Sequence, residues 1–163
     1  MLKIGVISDT HIQDLRQGAR LADHLLQNWF ADVDMILHAG DVVNPSFLDL
    51  FDGLTVHAVR GNMDPSVPGI PVKRVLIVEG FRIGLIHGWG APATLEQRLV
   101  QEFNGLSVDC LVYGHSHVPV CHHAHGMLLF NPGSAADRRG QPAHTVGILE
   151  VGESIEGRII AID

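Results

Sequence analysis

The stretch from Leu2 to Ser8 is a continuous apolar run rich in β-branched residues, and shorter runs of the same kind follow at Val33–Leu37 and Leu54–Val59. Runs with no polar alternation bury both faces, which is how the strands of a parallel sheet read. Between them lie helical signals. Arg16–Phe30 carries Ala19, Ala22, Leu25, Leu26 and Trp29 at helical spacing, and Pro45 opens a short helix over Ser46–Phe51. The first half therefore reads β-α-β-α-β, and helical crossovers between successive strands imply parallel pairing.

The second half changes character. Pro65–Pro71 holds three prolines and reads as a loop. Val72–Val78, Glu79-Gly80 and Phe81–Ile86 spell strand, two-residue turn, strand. Pro92–Phe103 is expected to be a helix, with Leu95, Leu99 and Phe103 on one face, and Cys110–Tyr113 a short buried strand. Val118–His122 and Met127–Phe130 are expected to form a hairpin around His123-Ala124-His125-Gly126. Thr145–Val151 and Ser154–Ile162 are expected to close the chain as another hairpin. Together these predict an α/β fold: a four-layer αββα sandwich of two mixed β-sheets flanked by helices, in one domain over residues 1–163.

The strand ends carry the chemistry. Asp9-Thr10-His11 follows the first run, His38-Ala39-Gly40-Asp41 the second and Arg60-Gly61-Asn62-Met63-Asp64 the third; His87-Gly88-Trp89-Gly90 and Gly114-His115-Ser116-His117 follow two later strands. In open α/β sheets ligands bind at the carboxyl ends of the strands. Taken singly, Asp9 or Asp41 reads as a helix N-cap, Asn62 as a turn residue and His87 as a strand-end histidine bonded to backbone. Taken together, five strand ends supply Asp9, His11, Asp41, Asn62, His87, His115 and His117, a set suited to metal ions. Seven ligands exceed what one zinc-type ion takes and suit two ions sharing a carboxylate. Two such ions about 3.5–4 Å apart clamp both oxygens of an in-line displacement at phosphorus.

The order Asp9-x-His11, Gly40-Asp41, Gly61-Asn62, His87-Gly88 and Gly114-His115-x-His117 resembles the calcineurin-like metallophosphoesterases. The Gly61-Asn62-Met63-Asp64 form and the Asn131-Pro132-Gly133-Ser134 turn resemble the small bacterial and archaeal phosphodiesterase subgroup. The resemblance spans nearly the whole chain. It implies the same two-sheet αββα fold, and one ion held by Asp9, His11, Asp41 and His117. A second would be held by Asp41, Asn62, His87 and His115, with Asp41 the bridge and its two oxygens each holding one ion. The implied activity is phosphodiester hydrolysis by attack of a metal-bridging hydroxide, with Asp41 and Asn62 at the reacting centre. The donor set suits manganese first, then zinc, iron, nickel or cobalt. Many members place a histidine after Gly-Asn to protonate the leaving oxygen. Here Met63 stands there, which cannot donate a proton, and Asp64 is either a substitute acid or a turn residue. Substrates with good leaving groups should then turn over best.

Three other readings stay open. One is a non-catalytic protein-interaction scaffold on this fold, like the retromer subunit that has lost part of its ligand set. The others are a phosphomonoesterase and a single-metal hydrolase of esters or amides. His38, Arg60, Asn131 and Ser134 are candidates for substrate contact or for supporting the ligands. His122, His123 and His125 form a histidine tract expected to be solvated at a hairpin tip. Trp89 is open to stacking on a base or sugar, or to packing its loop.

The net charge of −7, with histidine neutral, argues against a broad nucleic-acid or membrane surface but not against a small phosphorylated substrate beside metal ions. No apolar run approaches the ~20 residues of a membrane span, and the N-terminus lacks a signal peptide's pattern, which predicts a cytoplasmic protein. Cys110 and Cys121 are expected to be buried free thiols. Homo-oligomers are a further expectation, from the subgroup.

Overall fold

The computed structural model describes residues 1–163. Its strands are β1 (Leu2–Ile7), β2 (Met35–His38), β3 (Thr55–Ala58), β4 (Lys73–Val78), β5 (Phe81–Ile86), β6 (Cys110–Val112), β7 (Val120–Ala124), β8 (Met127–Asn131), β9 (Thr145–Val151) and β10 (Ile155–Ala161). Helices α1 (Leu15–Asn28) and α2 (Leu95–Glu102) join them, with 3₁₀ turns at Pro45–Leu50 and Pro92–Thr94.

Two five-stranded mixed sheets result, in the orders β10-β9-β1-β2-β3 and β4-β5-β6-β8-β7. The parallel strands are β1, β2 and β3 in one sheet and β5, β6 and β8 in the other. The four layers appear as three apolar interfaces. Ile4, Val6 and Leu37 of the first sheet meet Ile83, Leu85, Val112 and Phe130 of the second. Ile7, Ile36 and Ile148, on the opposite face of the first sheet, pack against Ala22 and Leu25 of α1 and against Phe47 and Phe51. Leu111 and Leu129 of the second sheet pack against Leu95 and Leu99 of α2, and Phe103. Strands covered on both faces explain the unbroken apolar runs. Truncating a fully buried ring such as Phe130 to alanine should cost about 3–5 kcal/mol.

Local signals set the boundaries. The Asp14 carboxylate caps α1 by accepting the Arg16 N–H at 2.9 Å, so the helix starts at Leu15; it stops at Asn28, two residues short of the expected Phe30. The expected helix after Pro45 is a 3₁₀ turn, and that at Pro92 is a 3₁₀ turn followed by α2. Glu79 and Gly80 both have positive φ, as the two-residue turn between β4 and β5 requires.

Two expectations need correction. His122 and His123 lie within β7, not at the hairpin tip, which is only His125-Gly126; His122 Nε2 also meets the Glu96 carboxylate at 2.7 Å, a partner distant in sequence. Cys110 is buried but Cys121 is exposed, because β7 is an edge strand. No helix is long and apolar enough to cross a membrane.

Candidate metal centre

The register pairs Ile7 with His38 and His38 with Ala58, so the carboxyl ends of β1, β2 and β3 lie level. The loops leaving them carry Asp9 and His11, Asp41, and Asn62. From the other sheet, β5 delivers His87 and β6 delivers His115 and His117. The β1 and β2 loops are laced together: Asp9 N–H donates to Gly40 O at 2.9 Å and His11 N–H to Asp41 O at 3.0 Å. Asp9, His11, Asp41, His115 and His117 all have positive φ, between 46° and 71°. For a residue with a Cβ that conformation costs about 1–2 kcal/mol. Such strain persists where surroundings over-determine it, and clusters at functional sites.

The side chains converge. Asp9 Oδ1 lies 3.3 Å from His117 Nε2, 3.8 Å from His87 Nε2 and 4.0 Å from His11 Nε2. Asp41 Oδ2 lies 3.2 Å from His87 Nε2 and 3.9 Å from His11 Nε2. Two triplets have ligand atoms within 4.8 Å of one another, Asp9-His11-His117 and Asp9-Asp41-His87. Asn62 Oδ1 sits 3.0 Å from His87 Nε2.

Hydrogen bonds fix which atoms face inward. His87 Nδ1 donates to Ala39 O at 2.7 Å and His117 Nδ1 to Asp137 O; a carbonyl only accepts, so Nε2 of each neutral ring carries the lone pair. Asp9 Oδ2 accepts from Ser8 Oγ and from His115 N–H, leaving Oδ1 to face the centre. Asp41 Oδ1 accepts the Met63 N–H at 2.8 Å, leaving Oδ2. Asp41 thus turns Oδ2 toward the histidines while Oδ1 is held by Met63, and Asp9 Oδ1 as well as Asp41 Oδ2 lies among those histidines. Only glycine fits at 61 and 114. A Cβ at Gly61 would collide with Asp41 Oδ1 and one at Gly114 with Ser8 Oγ.

This arrangement fits divalent cations. Asp9 Oδ1, His11 Nε2 and His117 Nε2 are buried without a hydrogen-bond partner, which is costly for polar atoms. Donors about 2.1 Å from a tetrahedral ion lie about 3.4 Å apart, close to the separations above. Burial works against a charged His87, but Asp41, Asp9 and the Ala39 carbonyl outweigh it and raise its pKa. His117 is likewise raised, burial being outweighed by Asp9 and the Asp137 carbonyl. Burial pushes Asp9 and Asp41 up, yet His117, His87 and Ser8 hold Asp9 down, and His87, the Met63 N–H and His11 hold Asp41 down.

His115 stands outside both triplets. Its Nε2 donates to Gly90 O at 3.0 Å and its ring packs edge-on against His87 at 5.4 Å between centroids. The nitrogen left with a lone pair is thus Nδ1.

The other candidates support loops. His38 is fully buried, bonded to Thr10 Oγ1 at 2.9 Å and accepting the Gly40 N–H at 3.1 Å, behind the ligand loops. Asp64 does not present a proton donor: its carboxylate accepts the N–H of Asp41, Gly61 and Val43 at 2.7–2.8 Å. Arg60 Nε donates to Asp64 O, closing that turn. Asn131 is fully buried, giving Nδ2 to Gly114 O and Ser116 Oγ and accepting the Gly133 N–H, so it holds the histidine loop and cannot reach substrate. Ser134 Oγ donates to Asp9 O and accepts from Ala136 and Asp137, bracing the carbonyl that orients His117. Sequence reasoning overlooked Ser8, although a serine ending a buried apolar run is a signal. It also overlooked the carbonyls of Ala39, Gly90 and Asp137, for which no side-chain signal exists.

Parallel strand ends from two packed sheets, meeting in buried aspartates and histidines with orphaned inward-facing atoms, define a metallophosphatase-type hydrolase fold and site. The calcineurin-like phosphoesterase superfamily domain matches residues 2–154, and the chain belongs to that family. A probable metallophosphoesterase of Methanothermobacter thermautotrophicus is 38% identical over 160 residues, covering 96% of this chain and 91% of that protein. A predicted phosphoesterase of Streptococcus pneumoniae superposes with a TM-score of 0.80 at 25% identity, covering 99% of this chain and 90% of the other. An archaeal phosphodiesterase shares the fold at a TM-score of 0.75 and 24% identity, covering 98% and 99%.

Proposed function

We propose that this protein is a phosphodiesterase that works with two divalent cations at the Asp9-His11-His117 and Asp9-Asp41-His87 triplets. The observation that carries the reading is the set of three buried, partnerless atoms, Asp9 Oδ1, His11 Nε2 and His117 Nε2, beside a second triplet sharing Asp9. Cations there would supply charge to phosphate oxygens and acidify water. The donor set, nitrogen with carboxylate oxygen, suits manganese first and also zinc, iron, nickel or cobalt.

The chain's own residues do the rest. Asn62 is exposed, and with Oδ1 turned to His87 its NH2 group is free to donate to a phosphate oxygen. Met63 stands 57% exposed beside it and offers no proton, while Asp64 spends its carboxylate on three backbone N–H groups. A leaving group must then depart largely unassisted, which favours diesters of acidic alcohols and phenols. The shared fold of an archaeal phosphodiesterase supports this reading.

The test is turnover of a bis-aryl phosphate and of the matching aryl monoester by protein loaded in turn with manganese, zinc, iron, nickel and cobalt. The diester should be cleaved faster. Faster monoester cleavage would make the protein a phosphomonoesterase, and no turnover with any metal would favour the scaffold reading.

A further inference from the structure

Arg98 lies on α2, away from the ligand loops in sequence, yet its guanidinium is spent on the loop after His87. Nε and Nη2 donate to Trp89 O at 3.1 and 2.5 Å, Nη2 also to Ala91 O at 2.7 Å, and Nη1 to Thr94 Oγ1. The fork thus straddles Gly90, taking the carbonyls on either side of it. The contact is close: a Cβ on Gly90 would lie 3.0 Å from Nη2 and 3.2 Å from Cζ, and the backbone there has φ +81°. The carbonyl left over, that of Gly90, takes His115 Nε2 at 3.0 Å.

We propose that Arg98 is a positioning residue for His115: by clamping Trp89 and Ala91 it aims the Gly90 carbonyl, which holds the His115 ring in its Nε2–H tautomer and leaves the Nδ1 lone pair for a cation. Three features support it. Planar guanidinium suits two adjacent carbonyl acceptors in a way an ammonium does not. The Trp89–Ala91 segment has no regular structure of its own, so these bonds restrain it. A ring nitrogen bonded to a carbonyl is the usual device for fixing a ligand histidine's tautomer, and such supports typically contribute 10–100-fold in metal affinity. The metal half of this inference rests on the two-cation reading above; the tautomer half does not.

The test uses full-length chain labelled with ¹⁵N, stripped with chelator and held at pH 8.5. Long-range ¹H–¹⁵N correlations of the His115 ring should show Nε2–H alone in the wild type, and a mixture with Nδ1–H in Arg98→Ala. Arg98→Lys, which keeps the aliphatic stem and charge but loses the fork, should fall between them and serves if the alanine variant does not fold. In equilibrium dialysis against manganese alone, Arg98→Ala should weaken one of two sites by about 10–100-fold and leave the other unchanged. Arg158→Ala, on an exposed surface pair with Glu150, should change neither readout. Wild-type His115 found as Nδ1–H, or substitutions at Arg98 that leave either the tautomer or both manganese affinities within twofold of wild type, would overturn the proposal. A wild type that binds no manganese would sink the two-cation reading and the metal half with it, while the tautomer comparison still decides whether Arg98 sets the His115 ring.

Discussion

Asp64 Oδ2 accepts the backbone N–H of Asp41 at 2.8 Å, and the same oxygen takes Gly61 N–H at 2.7 Å. One buried carboxylate therefore ties the β2 loop to the β3 loop. Its other oxygen takes the N–H of Val43, a β-branched residue at φ 72°. The consequence for chemistry is that Asp64 sets where Asp41 and Asn62 sit and does not move protons.

Asp64→Asn keeps the shape but turns an NH2 group toward at least one N–H. It should cost about 1–3 kcal/mol of stability, the penalty for a buried donor left unpaired. Metal affinity should fall by about 10–100-fold as the ligand loops loosen. Metal content by mass spectrometry, unfolding and kcat are measured together. A variant with full metal content and unchanged stability, but a large loss of kcat, would restore Asp64 as an acid.

Sharing of Asp9 gives a second prediction. Its Oδ1 belongs to both triplets, so Asp9→Asn should weaken both cations. His117→Ala should chiefly weaken one and His87→Ala the other. Calorimetric titration with manganese counts the sites. Should Asp9→Asn keep one site at wild-type affinity, Asp41 alone would be the bridge.

The layers were legible in the sequence because buried parallel strands cannot alternate; Leu2–Ser8 could not be an exposed strand. The ligand-type residues were legible because they recur after strands, and Gly61 and Gly114 mark where the backbone passes close to a carboxylate. What stayed hidden was set by tertiary contacts. Asp64 reads as a turn residue or a substitute acid until three N–H groups are seen to point at it. Asn131 and Ser134 read as candidates for substrate contact or for supporting the ligands, and only their fully used bonds decide for support. The side of Asp41 that faces the site is decided by Met63, whose contribution is a backbone N–H. Arg98 gave no signal, since the contacts by which it holds the loop are to the carbonyls of Trp89 and Ala91.

Met63 yields the third prediction. Its side chain is exposed while its N–H holds Asp41, so replacing the side chain leaves the backbone bond intact. Across aryl and alkyl phosphodiesters, kcat should fall steeply as the leaving group becomes more basic. Met63→His should raise the slow alkyl substrates by up to the ~10²-fold low end of general-acid contributions and leave acidic phenols nearly unchanged. A wild-type series with no dependence on leaving-group pKa would remove the idea of a missing acid.

His38 gives the last prediction, a pH dependence. Burial, opposed by the charges of Asp64, Asp9 and Asp41, pulls its pKa down to about 4, whereas an unfolded chain's histidine titrates near ~6.5. Above that value neither state is protonated at His38 and the group adds no pH dependence. As pH falls from ~6.5, the unfolded chain takes up a proton that the folded chain refuses, so stability drops, and the loss levels off once the folded ring also titrates near 4. The full span is worth roughly 3 kcal/mol, at 1.36 kcal/mol per unit. His38→Asn retains an acceptor for the Gly40 N–H but loses the Thr10 bond, so it should be less stable by about 1–2 kcal/mol at pH 8. Its stability should then decline less steeply between pH ~6.5 and 4, and because the wild type's loss of roughly 3 kcal/mol exceeds that offset, the two curves should cross within this window. Urea unfolding of chelator-treated protein at half-unit steps reads this as the difference between the two chains. Parallel curves across that window would show that the buried ring does not govern the acid limb.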